Sequence, residues 1–256
     1  GGSVMDSAKV IALVADQGGK AWDYTGSFLA KGAPVKTALP IITIPTVAAT
    51  GSEADPIAVI SNPHLQIKNS ISGFALFPKL AIVDPELTLT CPWNTTVDGI
   101  MDILSHASET YFSNPLPHPI QDGISEVIIK TVLETGAKLK MDLNNVDYRS
   151  EISWASTLTM AGFLSGRNGG WPLHAMEHQI SAYYPQISHG SGLAALFLPL
   201  LEWNATRGGL DKFKCFVKNV FGREIQNFSE GSALIKERFS LLDRKSTRLN
   251  SSHRIR

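Results

Sequence analysis

Strand-forming signals stop near Thr88, and every periodic segment after that point reads as helix. Before it, short β-branched runs alternate with turn signals: Ala38–Thr46, Ala58–Ser61 and Ala81–Asp84 read as strands, with Asn62-Pro63 and Asp84-Pro85 as breaks. A first helix is expected over Ser3–Asp16, with Val4, Ala8, Ile11, Ala12 and Ala15 on its apolar face. After Thr88, Thr96–Phe112, Ile120–Met141, Ser150–Ser165, Pro172–Tyr184, Gly192–Arg207 and Gly209–Gly222 are amphipathic and punctuated by Pro or Gly. A chain built this way folds as an α/β part followed by an all-α part. The expected boundaries are 1–87, 88–240 and a tail, 241–256.

Charge and composition narrow the class. The 256 residues hold 23 basic and 23 acidic side chains, with 43% hydrophobic residues and two cysteines. That excludes disorder and a disulfide scaffold, and gives no reason to expect nucleic acid or an anionic membrane as partner. The most apolar stretch, Gly192–Trp203, is too short to span a bilayer and contains Pro199. With no visible signal peptide and two unrelated cysteines, a reduced, cytoplasmic setting is expected. The neutral balance is uneven: the last sixteen residues hold five bases and one acid, leaving 18 basic and 22 acidic residues in the body.

Four constellations carry chemistry. Gly1-Gly2-Ser3 opens directly into the first helix, where backbone N–H groups and the helix dipole favour a phosphate; the commoner reading is a helix capped by Ser3. The hydroxyl-rich loop TIPTVAATGSE (Thr43–Glu53) offers Thr46, Thr50 and Ser52 to a ligand, or a Thr50/Glu53 capping box. Asp102 and His106 are spaced i, i+4 on an apolar helix, so they share a face. Most informative are His174 and His178, again i, i+4, followed by His189: three of the seven histidines lie within sixteen residues of apolar sequence. An Asp/His pair on one helix and histidines on another can close a site of O and N donors suited to Fe²⁺ or Zn²⁺. HAMEH lacks the HExxH order of a zinc protease, since Glu177 precedes the second histidine instead of following the first. His64 and His118 beside prolines are expected to be exposed. Trp93, Trp154, Trp171 and Trp203 are expected in packing, and neither cysteine has activating neighbours.

GGSVMDSAK, IPTVAATGSEAD, DGIMDILSHASETYF, WASTLTMAG and HAMEHQISAYYPQISHG together resemble the iron-containing (group III) alcohol dehydrogenases, closest to their butanol dehydrogenase-like branch. The resemblance runs from Gly1 to about Ser232. It implies a dehydroquinate synthase-like fold: a partial Rossmann-type nucleotide-binding domain followed by a helical metal-binding domain. It implies Asp102, His106, His174 and His189 as metal ligands, for Fe²⁺ or alternatively Zn²⁺, and His178 as a catalytic residue beside nicotinamide and substrate. Gly1, Gly2 and Ser3 would hold the pyrophosphate of NAD or NADP, Asp6 would sit near the nicotinamide end, Thr46 and Thr50 would line the cofactor, and Lys68 would match a cofactor-contacting lysine. The step from His174 to His189 is one residue longer than the family's usual spacing, with the loop Tyr184–Ser188 to absorb it. The family also has further sequence before the pyrophosphate motif, so the chain is expected to be a fragment, with RKSTRLNSSH in a non-native tail. The implied reaction moves a hydride between a primary alcohol or aldehyde and NAD(P), in an enzyme expected to form a homo-oligomer at full length. The alternatives are a catalytically inactive metal-binding fragment and a glycerol dehydrogenase-like zinc enzyme.

Overall fold

Helix α1 (Gly2–Gln17) buries Met5, Asp6, Lys9, Val10, Ala12 and Leu13, whereas Val4 and Ile11 are 72% and 67% exposed. The expected apolar face is therefore turned outward by about one position. Two charged residues face in because each finds partners. Lys9 donates to the backbone oxygens of Asp55 and Ile57 and to the Asp55 carboxylate, all at 2.8 Å. Asp6 accepts from Ser52 Oγ at 2.6 Å and from Val59 N at 2.9 Å.

The computed structural model describes residues 1–26, 31–113, 116–164 and 170–243; the expected tail from 244 onward, and Ser165, lie outside them. Strands β1 (Ile42–Thr43) and β4 (Leu80–Ala81) pair in parallel, while β2 (Ile57–Asn62) and β3 (Ile67–Ser72) form an antiparallel hairpin. The strand expected over Ala38–Thr46 shrinks to two residues because its only partner among the described residues, β4, has two. β3 was not expected at all: IKNSIS alternates too few apolar residues to stand out. Around the hairpin sits a small core of Val10, Leu13, Tyr24, Ala58, Ile71 and Leu76.

The rest of the described chain is helical: α2 (Trp93–Phe112), α3 (Pro119–Met141), α4 (Val146–Met160), α5 (Pro172–Tyr183), α6 (His189–Asn204), α7 (Leu210–Phe221) and α8 (Phe228–Leu241). Helix α2 is buried nearly all round, as expected of a helix enclosed by others, and α3, α4 and α6 pack on it. The large core includes Ile100, Leu104, Tyr111, Val132, Phe197, Phe213 and Val217. Several helix limits differ from expectation: α2 starts at Trp93, and α8 was not expected. α4 starts earlier, capped by Asn145, whose side chain accepts from Tyr148 N. α6 starts at His189 and ends at Asn204, before a π turn in which Arg207 and Gly208 leave helical geometry. Trp154 and Trp203, expected in packing, are 58% and 55% exposed, and His118, expected exposed, is half-buried at the start of α3. No helix among the described residues is long and apolar enough to cross a membrane.

Candidate metal centre

The approach of α6 to α2 sets the site. A Cβ on Gly190 would lie 2.4 Å from the Asp98 carbonyl oxygen, so only glycine lets the start of α6 come this close. That contact brings His189, the first residue of α6, beside Asp102 and His106 in the middle of α2. α5 supplies His174 from its first turn.

Three of the four expected ligands, Asp102, His106 and His174, bring donor atoms within 4.8 Å of one another, while His189 groups with Glu177 and His178 at the edge of this cluster. Asp102 Oδ1 lies 3.2 Å from His174 Nε2, 3.5 Å from His106 Nε2 and 3.5 Å from His189 Nε2. Donors about 2.1 Å from a common ion at tetrahedral corners lie about 3.4 Å apart, so the separation of Asp102 from each imidazole suits a shared ion, with His189 the outermost of the three rings. The rings of His106 and His174 stack at 4.7 Å, and Trp171 stands edge-on to both. Side-chain exposure rises from 4% at Asp102 through 6% at His106 and 12% at His174 to 29% at His189, so the centre opens on the His189 side. His178 lies on that side, its ring 5.8 Å from that of His189.

A second layer of carboxylates orients the imidazoles. Glu109 faces Nδ1 of His174, and Glu177 faces Nδ1 of His189. With Nδ1–H donated to a carboxylate, Nε2 keeps its lone pair for an ion. Sequence reasoning did not single out Glu109. Its signal was present, because Asp102, His106 and Glu109 are spaced i, i+4, i+7 on one helix face. His106 lacks such a brace: its Nδ1 is buried with no partner among the described residues.

Electrostatics follow from this packing. Burial alone would raise the Asp102 carboxyl, but the surrounding imidazoles, His106 first, hold it well below the usual carboxylate range. Burial pushes His106 down to about 3, so it is neutral at pH 7. For His174 burial acts the same way, yet Asp102 and Glu109 outweigh it and lift the group to about 9. Burial, then the Lys68 cation, lowers His178 to about 3.

The expected cofactor residues divide. Gly2 packs against Thr50, where a Cβ would fall 2.5 Å from Thr50 Cγ2, so the start of α1 and the Thr46–Thr50 loop form one cradle. The N-cap of α1 is Gly1, with no side-chain cap, so Ser3 does not cap it. Thr50 Oγ1 accepts from Ser52 N, but Glu53 is buried and accepts from Thr157 Oγ1 of α4, so there is no capping box. Thr46 is exposed at the cradle's edge. Asp6 has both carboxylate oxygens engaged by protein groups. Lys68 reaches from β3 to α5, where its Nζ lies 3.1 Å from Glu177 Oε2 and 3.3 Å from Ser181 Oγ.

The family model for iron-containing alcohol dehydrogenase matches residues 1–85, and that for the C-terminal part of the Fe-containing alcohol dehydrogenase family matches residues 96–247. The chain belongs to the iron-containing alcohol dehydrogenase family. NADH-dependent butanol dehydrogenase B from Clostridium acetobutylicum is 39% identical over 223 residues, 87% of this chain and 56% of that protein. The NADPH-dependent aldehyde reductase YqhD from Escherichia coli is 33% identical over 212 residues, 81% of this chain and 53% of that protein. The crystal structure of NADH-dependent butanol dehydrogenase A from Thermotoga maritima superposes with a TM-score of 0.87 at 33% identity, covering 94% of this chain and 60% of that one. This family member thus spans about half the length of the curated relatives it matches, and it shares their dehydroquinate synthase-like fold as a partial nucleotide-binding part followed by a helical part.

Proposed function

We propose that this chain carries the metal centre and part of the nucleotide site of an NAD(P)-dependent alcohol dehydrogenase or aldehyde reductase acting on primary alcohols and aldehydes. The observation that carries the reading is the convergence of Asp102 Oδ1 with three imidazole Nε2 atoms at 3.2–3.5 Å. One carboxylate and three imidazoles suit ferrous iron, with zinc as the alternative ion; an ion would take the place of the proton that His174 holds without it. In this reading the chain divides near Thr88, Gly1, Gly2, Ser3, Thr46 and Thr50 hold the cofactor's pyrophosphate side, and Asp6 braces that cradle from below. The two unpaired cysteines, one buried and one exposed, fit a reducing cytoplasmic setting.

When bound, the ion supplies Lewis-acid polarisation of the substrate oxygen. The chain's own groups do the rest. Asp102 contributes the negative charge, and Glu109 and Glu177 hold two of the rings with Nε2 turned inward. His189 is the most exposed of the four side chains, so substrate approaches over it. His178 stands there as a neutral imidazole that can hold a substrate proton by hydrogen bond without adding charge.

Metal content and ion titration of the chain, wild type against Asp102→Ala and His174→Ala, test the ligand set. The expected result is stoichiometric iron or zinc in the wild type and loss of retention in both variants. Normal metal content after either change removes that residue from the set. Titration with NADH and NADPH, followed by nicotinamide fluorescence, then separates a chain competent for cofactor from one that holds metal alone.

A further inference from the structure

His189 is the least protected of the four converging side chains. It is 29% exposed and occupies the first position of α6, where backbone N–H groups have no intrahelical partner. Asp102 and His106 sit mid-helix, and His174 is held by Glu109. The orientation of the His189 ring therefore rests on its side-chain partners, and these form a chain. Nδ1 faces Glu177 Oε2; that carboxylate is wholly buried; Lys68 Nζ meets the same oxygen at 3.1 Å; and Ser181 donates to the other oxygen. Lys68 comes from β3, on the far side of the junction between the two halves.

Lys68 Nζ also lies 3.3 Å from His189 Nδ1. Two proton arrangements compete there. If Nδ1–H points to Glu177, the lysine protons go to Glu177 and Ser181, and Nε2 is free to bind an ion. If Lys68 donates to Nδ1 instead, the neutral ring carries its proton on Nε2 and cannot bind one. The buried carboxylate, by accepting both the Nδ1–H of His189 and an N–H of Lys68, decides for the first.

We propose that Lys68 and Glu177 are positioning residues for the metal centre: Glu177 selects the ion-binding tautomer of His189, and Lys68 fixes Glu177, so the β2–β3 hairpin helps set how firmly the helical half holds its ion. This rests on the metal-centre reading given above.

The test is titration of the chain with Co²⁺ and Zn²⁺, following affinity and the d–d absorption of the cobalt form, in wild type, Glu177→Gln, Lys68→Met and the double variant. Glu177→Gln is expected to weaken binding on the order of 10–100-fold and to alter the cobalt spectrum, because Lys68 is left facing Nδ1. Lys68→Met is expected to weaken it less, and the double variant to bind more tightly than Glu177→Gln alone, since the competing donor is gone. Thermal unfolding of each variant separates a fold defect from a site defect. Wild-type affinity and spectrum in Glu177→Gln, or a double variant that merely adds the two losses, would overturn the proposal. A wild-type chain that takes up no ion overturns the metal-centre reading itself and this one with it.

Discussion

Glu109 holds His174 from two directions: one carboxylate oxygen faces the ring Nδ1, and the other accepts the backbone N–H groups of Leu173 and His174 at the start of α5. A single buried side chain on α2 thus caps a second helix and aims the imidazole that the helix carries. Glu109→Gln keeps one acceptor oxygen but replaces the other with a donor. The expected outcome is a loss of about 1–3 kcal/mol in stability, together with weaker ion binding on the order of 10–100-fold. Denaturant unfolding and zinc titration of the same preparation read the two effects separately, and unchanged zinc affinity would show that the ring needs no brace.

Gly190 sets the spacing of α6 from α2. Gly190→Ala places a methyl group 2.4 Å from a backbone oxygen, which cannot yield as a flexible side chain would. The expected cost is about 1–3 kcal/mol, with His189 displaced from the other donors. A cobalt spectrum identical to wild type in the alanine variant would mean that the helix can move without disturbing the centre.

Lys9 is fully buried, and its charge is met by Asp55. Removing one member strands the other. Lys9→Met is expected to cost about 3–5 kcal/mol. Replacing both, as Lys9→Met with Asp55→Asn, should cost less than the sum of the single changes, because no uncompensated charge remains. Strict additivity in denaturant unfolding would argue against a coupled pair.

Asp55 also sets a pH dependence. Burial raises its carboxyl, against the pull of Lys9, to about 6 from an ordinary value near 3.8. A group whose folded value is raised contributes stability that is present in full below the ordinary value and lost as pH climbs through the folded one. Wild type should therefore lose stability relative to Asp55→Asn between about pH 4 and pH 6. Thermal midpoints of both proteins across pH 4–7.5 check this; a difference that is constant, or that grows in favour of wild type with rising pH, contradicts it.

What the sequence showed of this site follows from how its contacts are spaced along the chain. Asp102 with His106, and His174 with His178, were legible because one helix turn brings each pair together. Glu109 was equally within reach, two turns from Asp102, but a lone glutamate in a helix passes as a solvated residue until its burial is seen. The Lys68–Glu177 contact was out of reach, since 109 residues separate the two and only tertiary packing joins them. In the fold, the change of character near Thr88 was plain. The inward face of α1 was misread because periodicity counts apolar residues, whereas here Asp6 and Lys9 are inside with partners that no local pattern reveals.

The two cores are of very different size: a few side chains around the hairpin, against a continuous body of helix-packed residues around α2. Opening of a region costs free energy in proportion to the apolar surface it exposes, so the hairpin half is the lower-barrier cooperative unit. Its amides should exchange with solvent while those of α2 remain protected. A bound ion would guard the helical unit directly and reach the hairpin through Lys68, which crosses from β3 to Glu177 of α5. The chain is thus less a single melting block than two linked ones, in which the hairpin side can breathe while the helical side stays closed.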